Sequence, residues 1–222
     1  MPTPIEQTLA IIFSGDSKLR ESTPLIYQMP DKEESDNEKR MRWHFLTNSA
    51  TNSVKHWLTT EYGTPVLQTL PLEENKDQSE MFALIRDPKE RWWSGVREWM
   101  HNLPWYSWWE NEKLMDQWPH FNRFTIAQHV TLDQAPAQHY IKVDHRINDR
   151  MVNFARKHRL RLYGPFRWVQ NKRHNWADRK KMEDKGRSQL EKWLAKNPTY
   201  QKKLDDYLEP DYQYWNKVKH QD

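Results

Sequence analysis

Apolar residues fall along this chain in short blocks, each about as long as a strand or one face of a helix. The densest is Met81–Ile85, five apolar residues in a row bounded by charge and a proline, the pattern of a buried strand. Arg86-Asp87-Pro88 ends it, because proline donates no backbone hydrogen bond and turns the residue before it away from helical geometry. Pro88 also suits the first turn of a helix with Asp87 as N-cap, so a helix is predicted to follow. Leu9–Phe13 and Arg42–Leu46 read as further strands, and Ser53–Tyr62 as an amphipathic helix carrying Val54, Trp57 and Leu58. Met29 to Lys39 is polar, acidic and without period, which predicts an exposed loop. Thr64–Leu70 alternates apolar with polar after opening on Pro65 and reads as a strand. Trp99–Phe124 is crowded with aromatic residues, as in a helical subdomain with an aromatic core, or in a lid over a ligand. A loop at Asp133–Gln138 precedes a strand at His139–Val143 and a helix at Ile147–Lys157. Ser188–Lys196 and Tyr200–Leu208 are predicted as helices parted by Asn197-Pro198. The succession predicts an α/β fold. Its mainly parallel sheet is flanked by helices, with a Trp-rich helical insertion and a helical C-terminus, in a single domain over 1–222.

Composition narrows the classes. The chain has 222 residues, 30% of them charged and 36% hydrophobic, enough for one core in a very polar protein. Its apolar runs fall far short of the roughly 20 residues that span a bilayer, and Thr8–Phe13 is too short for a leader. A protein of the cytoplasm, away from membranes, is therefore expected. With no cysteine there is no disulfide, thiolate nucleophile or thiolate metal site. The five glycines, at 15, 63, 95, 164 and 186, are too scattered for a dinucleotide fingerprint or a Walker loop. His139, Asp144 and His145 lack the spacing of a zinc site, so no metal is expected. The formal net charge of +4 favours anionic ligands.

Two stretches carry the chemistry of an anion site. In the first, Arg86 at a strand end, Ser94 within the following helix and the positive end of that helix's dipole can converge on one anion. In the second, Thr47-Asn48-Ser49-Ala50-Thr51-Asn52-Ser53 joins a strand to a helix start, where backbone N–H groups and hydroxyls make an anion cradle. The same loop also reads as a plain N-cap cluster.

The spelling R-D-P-x-x-R-x-x-S over Arg86–Ser94 resembles the 3′-phosphate-binding signature of the sulfotransferases that use 3′-phosphoadenosine 5′-phosphosulfate. The resemblance implies a P-loop-like sulfotransferase fold. It implies that Arg86 and Ser94 hold the nucleotide's 3′-phosphate while Asp87 and Arg91 brace the turn. The loop after Arg42–Leu46 then stands where the family carries its 5′-phosphosulfate loop, P-K-x-G-T-[ST] or a close variant. Asn48 takes the place of the lysine, Ser49 and Ala50 lie within the loop, Thr51 replaces the usual glycine, and Asn52 and Ser53 take the hydroxyl positions. The missing lysine matters, since it normally neutralises charge on the bridging oxygen as sulfate leaves. By the same resemblance Glu73 and Glu74, with His101 behind them, are the candidates for the base that deprotonates the acceptor. Lys172 and Arg173 match a late basic segment that closes over the nucleotide. Q-A-P-A-Q-H before the strand at His139, and L-D-D-Y-L-E-P-D-Y-Q-Y-W near the C-terminus, are similar to segments of the Golgi-type carbohydrate sulfotransferases.

The expectation is thus sulfuryl transfer from that nucleotide to a hydroxyl of a carbohydrate or other small-molecule acceptor. A nucleotide-binding protein of the same fold without turnover is the alternative the missing lysine leaves open. The basic, aromatic run Arg156–Lys181 leaves open another, a module that binds nucleic-acid phosphates and stacks bases, although nucleic acid is not the expected partner.

Overall fold

The structure is a computed structural model of the chain, described for residues 26–28, 41–44, 46, 49–62, 68–70, 80–99, 109, 112–121, 124–158, 166 and 176–218. Its strands are β1 (Ile26–Gln28), β2 (Met41–His44), β3 (Gln68–Leu70), β4 (Glu80–Arg86) and β5 (His139–Val143). Its helices are α1 (Thr51–Tyr62), α2 (Pro88–Trp99), α3 (Glu112–Met115), α4 (Gln128–Leu132), α5 (Ile147–Lys157), α6 (Trp176–Lys196) and α7 (Pro198–Lys217). The chain groups into two compact units. One comprises residues 23–88, 128–170 and 211–222, and the other residues 1–22, 89–127 and 171–210.

The first unit holds one sheet of order β3-β1-β2-β4-β5. β2, β4 and β5 are parallel neighbours, with Trp43 and His139 both opposite Phe82, and Leu84 opposite Ile141. β1 pairs antiparallel with both β2 and β3. The α/β architecture and the parallel β2-β4-β5 core follow the sequence pattern. β1 does not: a three-residue strand, Ile26-Tyr27-Gln28, offers too few positions to display a period. The strand expected at Leu9–Phe13 lies outside the described residues.

Central β4 is buried on both sides, which is why its sequence is a continuous apolar run and not an alternation. Phe82 and Leu84 point to one face, where Val54 and Trp57 of α1 and Ile147, Met151 and Phe154 of α5 pack with Trp43. Ala83 and Ile85 point to the other, against Leu46, Leu132 of α4, and Tyr214 and Trp215 of α7. Helices thus cover both faces of the sheet. The first face is aromatic, with ring centres of Trp43 5.6 Å from Phe82 and 5.2 Å from Phe154.

The second unit is helical, and aromatic residues make its core. Trp92 and Trp118 meet edge to face at 5.2 Å. Each indole N–H finds a main-chain carbonyl, Trp92 at Pro119 and Trp118 at Tyr200, both at 2.9 Å. Trp109, Trp118 and Phe121 are buried, so the described part of the aromatic stretch serves as packing. α6 begins well before the predicted Ser188, because its first half is charged and shows no apolar stripe. α7 continues past the predicted Leu208 with Pro210 inside it.

Candidate functional site

β2 and β4 are parallel neighbours, so their C-terminal ends and the connections leaving them share one edge of the sheet, the edge where open α/β sheets bind ligands. At the end of β2 the chain turns within a few residues into α1. The turn is held from inside: Ser49 N–H donates to the Leu46 carbonyl at 3.3 Å, and Thr51 Oγ1 donates to the same carbonyl at 2.7 Å. Ala50 between them has φ 58°, in the left-handed region. That conformation is costly for a residue with a Cβ and easy for glycine. The glycine-like position is therefore Ala50, one residue before Thr51, which already opens the helix. Thr51 thereby becomes the first hydroxyl of the helix. Ser49 is fully buried and its Oγ has no hydrogen-bond partner among the described residues; Ser53 is buried one turn along. Asn52 is exposed. α1 has no acidic residue in its first turn, which leaves the positive end of its dipole uncompensated by a side chain of its own.

Arg86 ends β4 and is partly exposed. Its main chain is clamped from both sides by one side chain: Arg86 N–H donates to Gln128 Oε1 at 3.0 Å, and Gln128 Nε2 donates to the Arg86 carbonyl at 2.9 Å. Gln128 is in turn set by Asp211, a carboxylate with no exposure at all. Asp211 accepts the N–H of Gln128 at 2.7 Å and that of His129 at 2.6 Å, and lies 2.8 Å from His129 Nδ1. A residue from α7 thus caps the start of α4, whose own sequence supplies no cap. These positioning residues are 42 and 83 positions from what they hold, and nothing local in the sequence announces them.

Ser94 belongs to the helical unit and is partly exposed in α2. Arg91, expected to brace the turn, is buried and donates through its guanidinium to the Ile126 carbonyl. At the end of β5, Asp144 accepts from Arg150 at 2.5 Å and from the Arg146 N–H at 2.8 Å. Partial burial works against its charge, but these donors win and hold its carboxyl below the usual carboxylate range. Among the described residues no group of His, Asp and Glu is arranged to hold a metal ion. No helix is long and apolar enough to cross a membrane, again among the described residues. Asn48, Glu73, Glu74, His101, Lys172 and Arg173 lie outside the described residues.

Compared with known proteins, the chain matches no family model, no curated protein and no solved structure. Its function is therefore argued from its own residues. What they offer at this sheet edge is a helix start with buried hydroxyls and a left-handed turn, beside a parallel strand that ends on a rigidly held arginine. Such a pair of loops suits a ligand with two separated anionic groups.

Proposed function

We propose that the chain is a sulfotransferase that binds 3′-phosphoadenosine 5′-phosphosulfate at the C-terminal edge of β2 and β4. The observation that carries this reading is the β2–α1 junction: Ala50 in the left-handed region and a buried Ser49 hydroxyl with no partner among the described residues, one strand away from Arg86. The first-turn N–H groups of α1, with the Ser49, Thr51 and Ser53 hydroxyls and Asn52, would receive the 5′-phosphosulfate. Arg86 would neutralise the 3′-phosphate. When bound, the nucleotide supplies the sulfuryl group, which leaves its phosphate oxygen for an acceptor hydroxyl. The acceptor's proton passes to a base, for which Glu73, Glu74 and His101 are the candidates, and adenosine 3′,5′-bisphosphate departs.

Asn48 stands where the resemblance places a lysine, which favours a second reading, a protein that binds the nucleotide without turnover. Titration calorimetry with adenosine 3′,5′-bisphosphate, and 5′-AMP as control, tests the shared part of both. Micromolar binding that depends on the 3′-phosphate is expected, with at least a tenfold loss in Arg86→Ala. Because Gln128 holds Arg86 by its main chain, that substitution leaves the strand end in place. Equal affinity for the two nucleotides, or full affinity in Arg86→Ala, would overturn the assignment. Sulfate transfer by the wild type to a panel of sugars and phenols then separates the two readings, and activity gained only in Asn48→Lys marks the non-catalytic one.

A further inference from the structure

The end of β4 outruns its neighbour. β2 stops at His44, which pairs with Ala83, so Arg86 lies beyond the last residue of β2. A single buried side chain supplies Arg86 with two main-chain partners there. The Gln128 amide, on a residue 1% exposed, accepts the Arg86 N–H at 3.0 Å and donates to the Arg86 carbonyl at 2.9 Å.

Gln128 is itself held, because the segment that carries it is tied down along its length. Asp211 takes the Gln128 N–H at 2.7 Å, and Thr131 Oγ1 donates to the Gln128 carbonyl at 3.1 Å. Farther on, the Ala135 N–H donates to the Thr131 carbonyl at 3.1 Å, and the Ala135 carbonyl accepts from His44 Nδ1 at 2.8 Å. Gln138 then grips Met81 at the other end of β4. Its Oε1 accepts the Met81 N–H at 2.6 Å, and its own N–H donates to the Met81 carbonyl at 3.0 Å. Residues 128–138 thus run back along β4 as a brace pinned at both ends, and all of these residues belong to the sheet unit. A guanidinium recognises a phosphate through a planar fork, and a fork aims accurately only where the residue carrying it is locked in place.

We propose that Gln128 is a positioning residue that makes the site selective for a nucleotide phosphorylated at the 3′ as well as the 5′ position. The inference rests on the nucleotide reading above. Being buried, Gln128 does not touch the ligand; it acts through the direction that it gives Arg86. The β2–α1 junction has bonds of its own, from the Ser49 N–H and Thr51 Oγ1 to the Leu46 carbonyl, so the 5′ group is held independently of Gln128. Loss of the clamp therefore falls on the 3′-phosphate.

The test is titration calorimetry of the full chain with adenosine 3′,5′-bisphosphate and with 5′-AMP, in the wild type, Gln128→Met and Gln138→Met. Methionine keeps the length of glutamine and removes its hydrogen bonds. The wild type is expected to prefer the bisphosphate by at least about tenfold. In Gln128→Met that preference should fall at least about threefold, through the bisphosphate alone, with 5′-AMP affinity unchanged. Gln138→Met, which loses the matching bond at the far end of the brace, should keep the full preference, so a role confined to stability would not produce this pattern. Should Gln128→Met fold poorly, Asp211→Asn loosens Gln128 from the α7 side and should lower the preference in the same way. Equal wild-type affinity for the two nucleotides would overturn the nucleotide reading, and this inference with it. A wild-type preference kept in full by Gln128→Met or, in its place, Asp211→Asn, or lost equally in Gln138→Met, would overturn the role of Gln128 alone.

Discussion

Two small residues show how much one Cβ can decide. Ala50 holds φ 58°, a conformation that costs a residue with a Cβ about 1–2 kcal/mol. Glycine removes that cost but adds about 0.4–1 kcal/mol of freedom to the unfolded chain. Ala50→Gly is therefore expected to leave stability unchanged or raise it by up to about 1.5 kcal/mol. Ala50→Val, β-branched at the same φ, should lower it by more than about 1 kcal/mol. Gly95 is the opposite case. A Cβ there would lie 1.9 Å from the Phe124 carbonyl oxygen, a main-chain atom that cannot swing aside. Gly95→Ala should cost at least about 3 kcal/mol, at the upper end of overpacking effects. Urea unfolding of the three variants checks both signs. A stabilised Gly95→Ala, or an Ala50→Val as stable as wild type, would contradict these backbone assignments. Neither residue's role can be read from composition: alanine is a common helix former, and Gly95 sits inside a helix where sequence alone suggests only weakness.

At the scale of elements, α4 has five residues and would not stand alone in water. Asp211 gives it a start by taking the two N–H groups of Gln128 and His129, and Gln128 then fixes the end of β4. Asp211→Ala strips these buried donors of their acceptor and is expected to cost about 3 kcal/mol or more. Asp211→Asn keeps one acceptor oxygen and should cost about half as much, in the same unfolding experiment. Equal stability of wild type and Asp211→Ala would mean that α4 is held by packing alone. This network also marks where sequence reading stops. β4, β5 and α5 were legible because each carries its own pattern: a continuous apolar run, a short apolar strand after a turn, and an apolar stripe at helical spacing. The strand–turn–helix setting of Arg86 was legible for the same reason, since Pro88 punctuates it. β1 was too short, and the first half of α6 too uniformly charged, to carry a period. Asp211, 82 residues from the His129 it caps, depends on the tertiary fold for its meaning.

For the molecule as a whole, pH ties several of these groups together. His44 is fully buried, and its Nδ1 lies 2.8 Å from the Ala135 carbonyl. A carbonyl only accepts, so Nδ1 carries the hydrogen, and neutral Nε2 is left as a buried acceptor with no partner among the described residues. Burial pushes the His44 pKa down, and the Ala135 bond opposes this only in part. His158 is pushed down as well, first by burial and then by Lys157 and His139, against the attraction of Glu80 3.7 Å away. A histidine whose folded pKa lies below its unfolded value of about 6.5 binds its proton more readily in the unfolded chain. Stability is therefore at its full value above about pH 6.5 and falls as pH drops from there toward the depressed folded pKa values. Asp144 has the depressed carboxylate pattern. Its contribution persists through this window and is lost only further into acid, as pH falls through its lowered pKa. Protonated histidines also add to a net charge already at +4, so self-repulsion acts in the same direction. The midpoint of thermal unfolding should accordingly drop between pH 7 and pH 5. In His44→Asn, whose amide can still donate to the Ala135 carbonyl but cannot titrate, the drop should be visibly shallower. A midpoint that is flat over this range, or a slope unaltered in His44→Asn, would mean that the buried imidazole does not control the acid limb.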